Sequence, residues 1–148
     1  MDEAIFRQRL QTLQQRHCPF QKAILSACVA CARSDRVQIA EREVVVCDAE
    51  PSHRRCEELH AHLRHNFGFA VGVLHDELPL PHAQEMRIQC GGLRGLAAVV
   101  AADPEVRDVD ALLEQVLQRF QRLADIDFSI VVHISREIYQ GRQRPDGK

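Results

Sequence analysis

Apolar residues recur at helical spacing along most of this chain, which predicts a mainly helical fold. The clearest stripe is Cys56, Leu59 and Leu63, within a helix expected over residues 52–66 that begins after Pro51. The same periodicity predicts further helices over residues 3–16, 20–32, 93–102, 108–123 and 127–140.

Three short segments favour strands instead, and the first two of them carry β-branched or aromatic runs. They are residues 37–47, which end in VVVC, residues 67–74 and residues 86–90. Gly91 and Gly92 follow the last segment and predict a tight turn into the next helix. A strand, a glycine turn and a helix can bind an anion through backbone N–H groups, but a simple turn is the preferred interpretation, since the glycines match no dinucleotide fingerprint or P-loop.

Together these patterns predict a mainly α (α+β) fold in a single compact helical domain over residues 1–140. The few short strands are expected near the cysteines and before the Gly-Gly turn. Gly141 is the expected terminator of the last helix, so residues 141–148 are expected to form a flexible tail.

Composition narrows the class of protein. The chain has 148 residues, 45% hydrophobic and 27% charged, with a formal net charge of -2, which is typical of a soluble globular domain. No apolar run approaches the ~20 residues that span a bilayer, and the N-terminus does not read as a signal peptide. A cytoplasmic protein without a membrane segment is therefore expected. The near-neutral balance and the 5% aromatic content give no basic, aromatic surface for nucleic acid.

Four of the six cysteines lie between residues 28 and 56, and they form the candidate functional site. Cys28 and Cys31 are three apart in a segment predicted to be helical, so their sulfurs would share a face. Cys47 ends a strand-like run, and Cys56 falls near the start of the next helix. Four converging thiolates are typical of a zinc site or an iron–sulfur cluster, which places a metal or cluster site at residues 26–56.

An iron–sulfur cluster, of the [4Fe–4S] type, is the preferred interpretation of Cys28, Cys31, Cys47 and Cys56. The pair lies in the apolar stretch SACVACA, whereas zinc-binding pairs usually lie in tight turns. The N-terminal end of the 52–66 helix would stabilise the negative charge of such a cluster, and so would the flanking arginines. These arginines are Arg33, Arg36, Arg54 and Arg55.

Other ligand sets stay open. In a zinc site, His53 or His60 could replace a cysteine, and all the thiols could also be unliganded and buried. Cys90, just before the predicted helix at residue 93, is a substitute ligand or a redox thiol. Cys18, just before Pro19, is a weaker candidate for a ligand or a redox thiol.

The sequence thus predicts a small cytoplasmic iron–sulfur protein that transfers electrons, or senses redox state or oxygen, through a partner protein. One alternative is a zinc-stabilised protein-interaction module. Another is a thiol-redox protein that uses Cys90. No hydrolase, kinase or dinucleotide motif occurs in the chain, which favours a protein that is not itself an enzyme.

Overall fold

The computed structural model describes residues 3–5, 7–8, 11, 16–71 and 79–143. The described part of the predicted helix 3–16 is helical up to residue 11, and the rest of that helix lies mostly outside the described residues. The helices of eight residues or more are α2 (Glu50–Val71), α4 (Gly92–Ala101), α5 (Val109–Phe120) and α6 (Phe128–Gln143). Shorter ones are α1 (Gln21–Leu25), α3 (His82–Met86), a π-helical segment (Arg87–Gly91) and a 3₁₀ turn (Leu123–Asp125).

One antiparallel hairpin makes up the sheet and accounts for the predicted β segment near the cysteines. Strand β1 (Ser34–Ile39) pairs with β2 (Arg42–Cys47), so that Ser34 lies opposite Cys47 and Ile39 opposite Arg42. The two-residue loop turns through Ala40, which adopts a left-handed backbone at φ 55°. The apolar end of β2, from Val45 to Cys47, is buried.

Helix α2 is longer than the sequence predicted. The strand expected over residues 67–74 is wrong over residues 67–71, which continue the helix, and residues 72–74 lie outside the described residues. The reason is helical spacing, because Phe67 follows Leu63 by four residues and extends the buried stripe of Cys56, Leu59 and Leu63. That stripe itself is confirmed.

The strand predicted over residues 86–90 is also wrong. Residues 82–101 form one helical run, with the π-helical segment in its middle, so Gly91 and Gly92 make no turn and offer no anion site. The glycines instead permit close packing between helices. A Cβ added at Gly95 would lie 2.7 Å from the Val131 carbonyl oxygen, and one at Gly92 would lie 2.9 Å from Leu63 Cδ1.

The predicted helix 20–32 ends at Leu25. Ala27 adopts a left-handed backbone at φ 62°, and the N–H groups of Cys28 and Val29 both donate to the Ala23 carbonyl. Residues 29–31 then run on as a non-helical segment, in which Ala30 exchanges hydrogen bonds with Val106 and Val109. The CxxC pair is therefore not on a helix.

The two C-terminal helices are confirmed as elements, with different ends. Helix α5 begins at Val109 after Asp108, whose side chain caps the helix by accepting from the Asp110 N–H. Helix α6 runs through Gly141 to Gln143, so that glycine does not terminate it.

The mainly α prediction is confirmed, with the few strands confined to one small sheet. The buried core joins residues of α1, β2, α2, the π-helical segment, α4, α5 and α6 in one cluster. Within the described residues, no helix has both the length and the apolar character of a membrane span.

Candidate cysteine site

Backbone pairing beside the hairpin brings Cys18 to Cys47. The Cys18 N–H donates to the Val45 carbonyl at 2.9 Å, and the Cys47 N–H donates to the Arg16 carbonyl at 2.9 Å. Residues 16–18 therefore run along the free edge of β2, and His17 forms an isolated antiparallel bridge with Val46. Cys18, the weaker candidate in the sequence, thus lies beside a predicted site residue.

Two further elements contribute Cys31 and Cys56. Cys31 lies just before the hairpin, where its carbonyl accepts hydrogen bonds from the N–H and the hydroxyl of Ser34. Cys56 lies in the second turn of α2, on the buried face of that helix. The N-terminal turn of the same helix adds Ser52 and His53 beside it.

The four free cysteines line one small cavity, here called the cysteine cavity. Its volume is about 10 Å³, which is roughly the room that one water molecule needs. The polar and charged residues in its wall are Arg33, Ser34, Ser52, His53 and Asp110. The apolar residues are Pro19, Phe20, Ile24 and Val109.

Cys28 does not belong to this set, although the sequence placed it there. Its sulfur is bonded to that of Cys90, and the two Cα atoms are 6.1 Å apart. The cause is the early end of α1. Residues three apart share a face only within a helix, so nothing holds Cys28 and Cys31 together once the helix has ended. Cys31 reaches the cysteine cavity, while Cys28 bonds to the π-helical segment.

Three thiols of the cysteine cavity, those of Cys18, Cys31 and Cys56, have raised pKa values. Burial raises the pKa of the Cys18 thiol to about 12, and the neighbouring Cys31 and Cys47 add to the effect. Burial likewise raises the pKa of Cys56, with added repulsion from Cys18, Cys31 and Cys47, so the four groups interact electrostatically. Burial also raises the pKa of Cys31, against hydrogen bonds from the N–H groups of Arg33 and Asp110. Only a bound cation would make this group of thiolates favourable.

Neither of the two histidines named as substitute ligands has a free ring nitrogen facing the cavity. His53 lines the cavity, but its Nε2 lies 3.0 Å from the His17 carbonyl oxygen and its Nδ1 3.4 Å from Glu57 Oε1. His60 lies elsewhere, with Nε2 2.9 Å from Glu85 Oε2. Cys90, the third substitute, is in the disulfide.

Asp110 occupies the charged side of the cysteine cavity. Burial opposes its ionisation, but hydrogen bonds from Ser52 and Arg55 and the charges of Arg55 and Arg33 hold the pKa of its carboxyl below its usual range. Arg55 approaches to 2.7 Å and Arg33 to 3.6 Å. Both arginines are thus already paired with a carboxylate at the wall of the cavity.

The other two arginines expected near a cluster pair with carboxylates on the surface. Arg36 lies 3.5 Å from Glu43, and Arg54 bonds to Glu50. The charge of these arginines is therefore balanced largely by the protein itself.

The four cysteines surround a space rather than meet at a point. Within the part of the chain that the structure describes, no group of three or more His, Cys, Asp or Glu side chains is arranged so that it could hold a single metal ion.

Comparisons with protein-family models, curated proteins and solved structures found no match for this chain.

Proposed function

We propose that this protein binds an iron–sulfur cluster, of the [4Fe–4S] type, through Cys18, Cys31, Cys47 and Cys56. The observation that carries the proposal is the convergence of four free thiols, three buried and one half-buried, from four separate chain segments on one cavity. Four cysteines are the usual ligand set of such clusters. Three of these residues were predicted from the sequence, and Cys18 takes the place of Cys28.

The wall of the cysteine cavity would have to move to hold either group, because the cavity has room for only about one water molecule. A cavity with room for a water-sized sphere keeps its wall atoms near van der Waals distance from the centre, roughly 3.5 Å. A zinc–sulfur bond measures only about 2.3 Å. The sulfurs would therefore have to draw together to bind one zinc ion, whereas they would have to move apart to hold the eight atoms of a cubane.

In a cubane each cysteine binds a different iron atom, so the four sulfurs need not point at one centre. Phe20, Ile24 and Val109 supply the apolar part of the wall. Such walls restrict solvent access, which affects the potential of a cluster.

When bound, a cluster supplies one-electron redox chemistry or a group that is sensitive to oxygen. The chain itself would position the thiolates, limit solvent access and set local charge through Asp110, Arg33 and Arg55. We infer a cytoplasmic protein that transfers electrons, or senses redox state or oxygen, with a partner protein. The absence of hydrolase, kinase and dinucleotide motifs from the sequence favours a role that is not enzymatic.

A zinc-stabilised interaction module remains the second candidate, because the same four thiols are a complete zinc ligand set. In that case the ion would contribute folding energy and no chemistry. The two candidates differ in colour, in metal and in sensitivity to oxygen.

Analysis of protein isolated without air separates them. We expect a brown protein with broad absorption in the blue region, about four irons and about four sulfides per chain. Exposure to air should bleach it. Colourless protein that contains one zinc per chain, with a spectrum unchanged by air, would establish the zinc module instead.

A further inference from the structure

The Cys28–Cys90 disulfide lies outside the cysteine cavity and has a chemical environment of its own. Arg94, one turn after Cys90 on α4, reaches back to Cys28. Its Nε–H donates to the Cys28 sulfur at 3.1 Å, and its Nη2 donates to the Cys28 carbonyl oxygen at 2.9 Å. A guanidinium that donates to a sulfur favours its thiolate form, which is the form that carries out thiol–disulfide exchange.

An open cavity of about 380 Å³, here called the arginine cavity, reaches this disulfide from the surface. That volume lies within the range of small-molecule sites. Cys28 lines the cavity and is 6% exposed, whereas Cys90 does not line it, so a small molecule in the cavity lies nearer to Cys28 than to Cys90.

The charges around the arginine cavity favour an anion. Arg36, Arg94 and Arg107 line it with a single carboxylate, that of Glu105. Glu105 pairs with Arg107 at 2.9 Å and Glu43 pairs with Arg36 at 3.5 Å, so three guanidinium groups meet two carboxylates among the described side chains at this wall. Such a concave wall raises the local concentration of anionic small molecules.

We propose that Cys28 and Cys90 form a redox-active pair that exchanges with small anionic thiols entering through the arginine cavity. A structural disulfide is rare in the reducing cytoplasm inferred above, where disulfides are usually transient and catalytic or redox-sensing. This inference goes beyond the proposed function, because it holds whether or not the other four cysteines bind a cluster.

The exchange proceeds in two balanced steps. The thiolate of the small molecule attacks Cys28 Sγ, a mixed disulfide forms there, and Cys90 leaves as a thiolate that takes a proton from water. A second small thiolate attacks the small-molecule sulfur of the mixed disulfide and releases Cys28 as a thiolate, next to Arg94 Nε–H. Two small thiols are thereby oxidised to their disulfide, and the protein disulfide is reduced to two thiols.

The first test places the protein, without air, in a series of buffers of reduced and oxidised glutathione. Free thiols are then alkylated and quantified for each cysteine by peptide mass spectrometry. We expect Cys28 and Cys90 to change together in one two-electron transition. If both stay alkylated, both stay bonded at every ratio, or the two change separately, the proposal is overturned.

The second test varies the charge of the small thiol and of the cavity wall, and it leaves both cysteines unchanged. The rate of reduction is compared for glutathione, which is anionic, and cysteamine, which is cationic, in wild type and in Arg107→Gln. The matched control is Arg136→Gln, which removes an exposed arginine on α6 that does not line the arginine cavity.

Arg107→Gln should slow glutathione about two- to threefold relative to cysteamine at low ionic strength, as expected for the loss of one nearby charge. The control should leave that ratio unchanged. Equal ratios in wild type and both variants would show that the thiol does not enter through the arginine cavity, and would overturn the proposed route.

Discussion

At the scale of single residues, two cysteines three apart have separate roles. Cys31 lines the cysteine cavity, and Cys28 is bonded to Cys90 beside Arg94. The cause is the left-handed backbone of Ala27, because it prevents α1 from continuing to either cysteine. Alanine is a good helix former, so nothing in its local sequence indicates this conformation.

The position of Cys18 beside the other cysteines could not be predicted from its local sequence. It has no cysteine within a few residues, and its neighbours arise from pairing with β2, which is distant in sequence. The number of cysteines could have identified Cys18 as a ligand. Once Cys28 and Cys90 form a disulfide, four cysteines remain, and four is one complete ligand set.

The raised thiol pKa values predict an alkaline loss of stability in metal-free protein. In the unfolded chain the Cys18 thiol ionises near its usual pKa of about 8.5, whereas in the fold it stays protonated up to about 12. Above a pH of about 8.5 the folded state therefore holds more protons, and stability falls as pH rises. Each such thiol should lower the free energy of unfolding by about 1.4 kcal/mol per pH unit.

Urea denaturation of metal-free protein between about pH 9 and pH 11 measures this slope. Cys18→Ala should reduce the slope by about 1.4 kcal/mol per pH unit, because it removes one such group. Parallel slopes in the wild type and Cys18→Ala would contradict the assignment of a buried, protonated thiol at this position.

At the scale of elements, apolar periodicity predicted most of the helices correctly. The glycines, in contrast, led to wrong predictions of turns and helix ends. The stripe of Cys56, Leu59 and Leu63 is buried on α2 as its spacing indicated. The strand predicted over residues 86–90 and the turn predicted at residues 91–92 are wrong, because two adjacent glycines are also compatible with a helix. These glycines instead allow helices to pack closely against each other. The residues that they contact lie far along the chain, so the local sequence does not indicate this packing.

Gly95→Ala tests this packing. The added Cβ would lie 2.7 Å from the Val131 carbonyl oxygen, a backbone atom of α6 that cannot move without shifting the helix. We expect a loss of about 1–3 kcal/mol in the free energy of unfolding, measured by urea denaturation.

Gly91→Ala is the matched control, since its added Cβ would meet Ser135 at an ordinary 3.4 Å. Replacing glycine in a helical segment gains up to about 1 kcal/mol, so this variant should be neutral or slightly more stable. If both variants lose the same stability, close approach at Gly95 is not the cause.

At the scale of the whole molecule, the cysteine cavity and the disulfide join different parts of the chain. The cysteine cavity gathers residues 18, 31, 47 and 56, whereas the disulfide links the end of the first helix to the π-helical segment. Helices α4 and α6 pack against each other at Gly95, which does not line the cysteine cavity.

Loading of the cysteine site should therefore stabilise the chain unevenly. A group that binds only the folded site favours the folded state and suppresses local opening around its ligands. Hydrogen exchange, compared between loaded and metal-free protein, should slow over residues 16–18, 29–34 and 45–56. It should change little over residues 93–101 of α4, and an equal slowing in both parts would argue against a local site.

The most direct test of the cysteine site is the iron content of matched single variants after anaerobic reconstitution. Cys18→Ser should lose most of the iron and sulfide that the wild type holds, because it removes one of four ligands. Cys28→Ser, three residues from Cys31, should retain both, with circular dichroism confirming that each variant is folded. Retention of the cluster by Cys18→Ser together with its loss in Cys28→Ser would contradict the account.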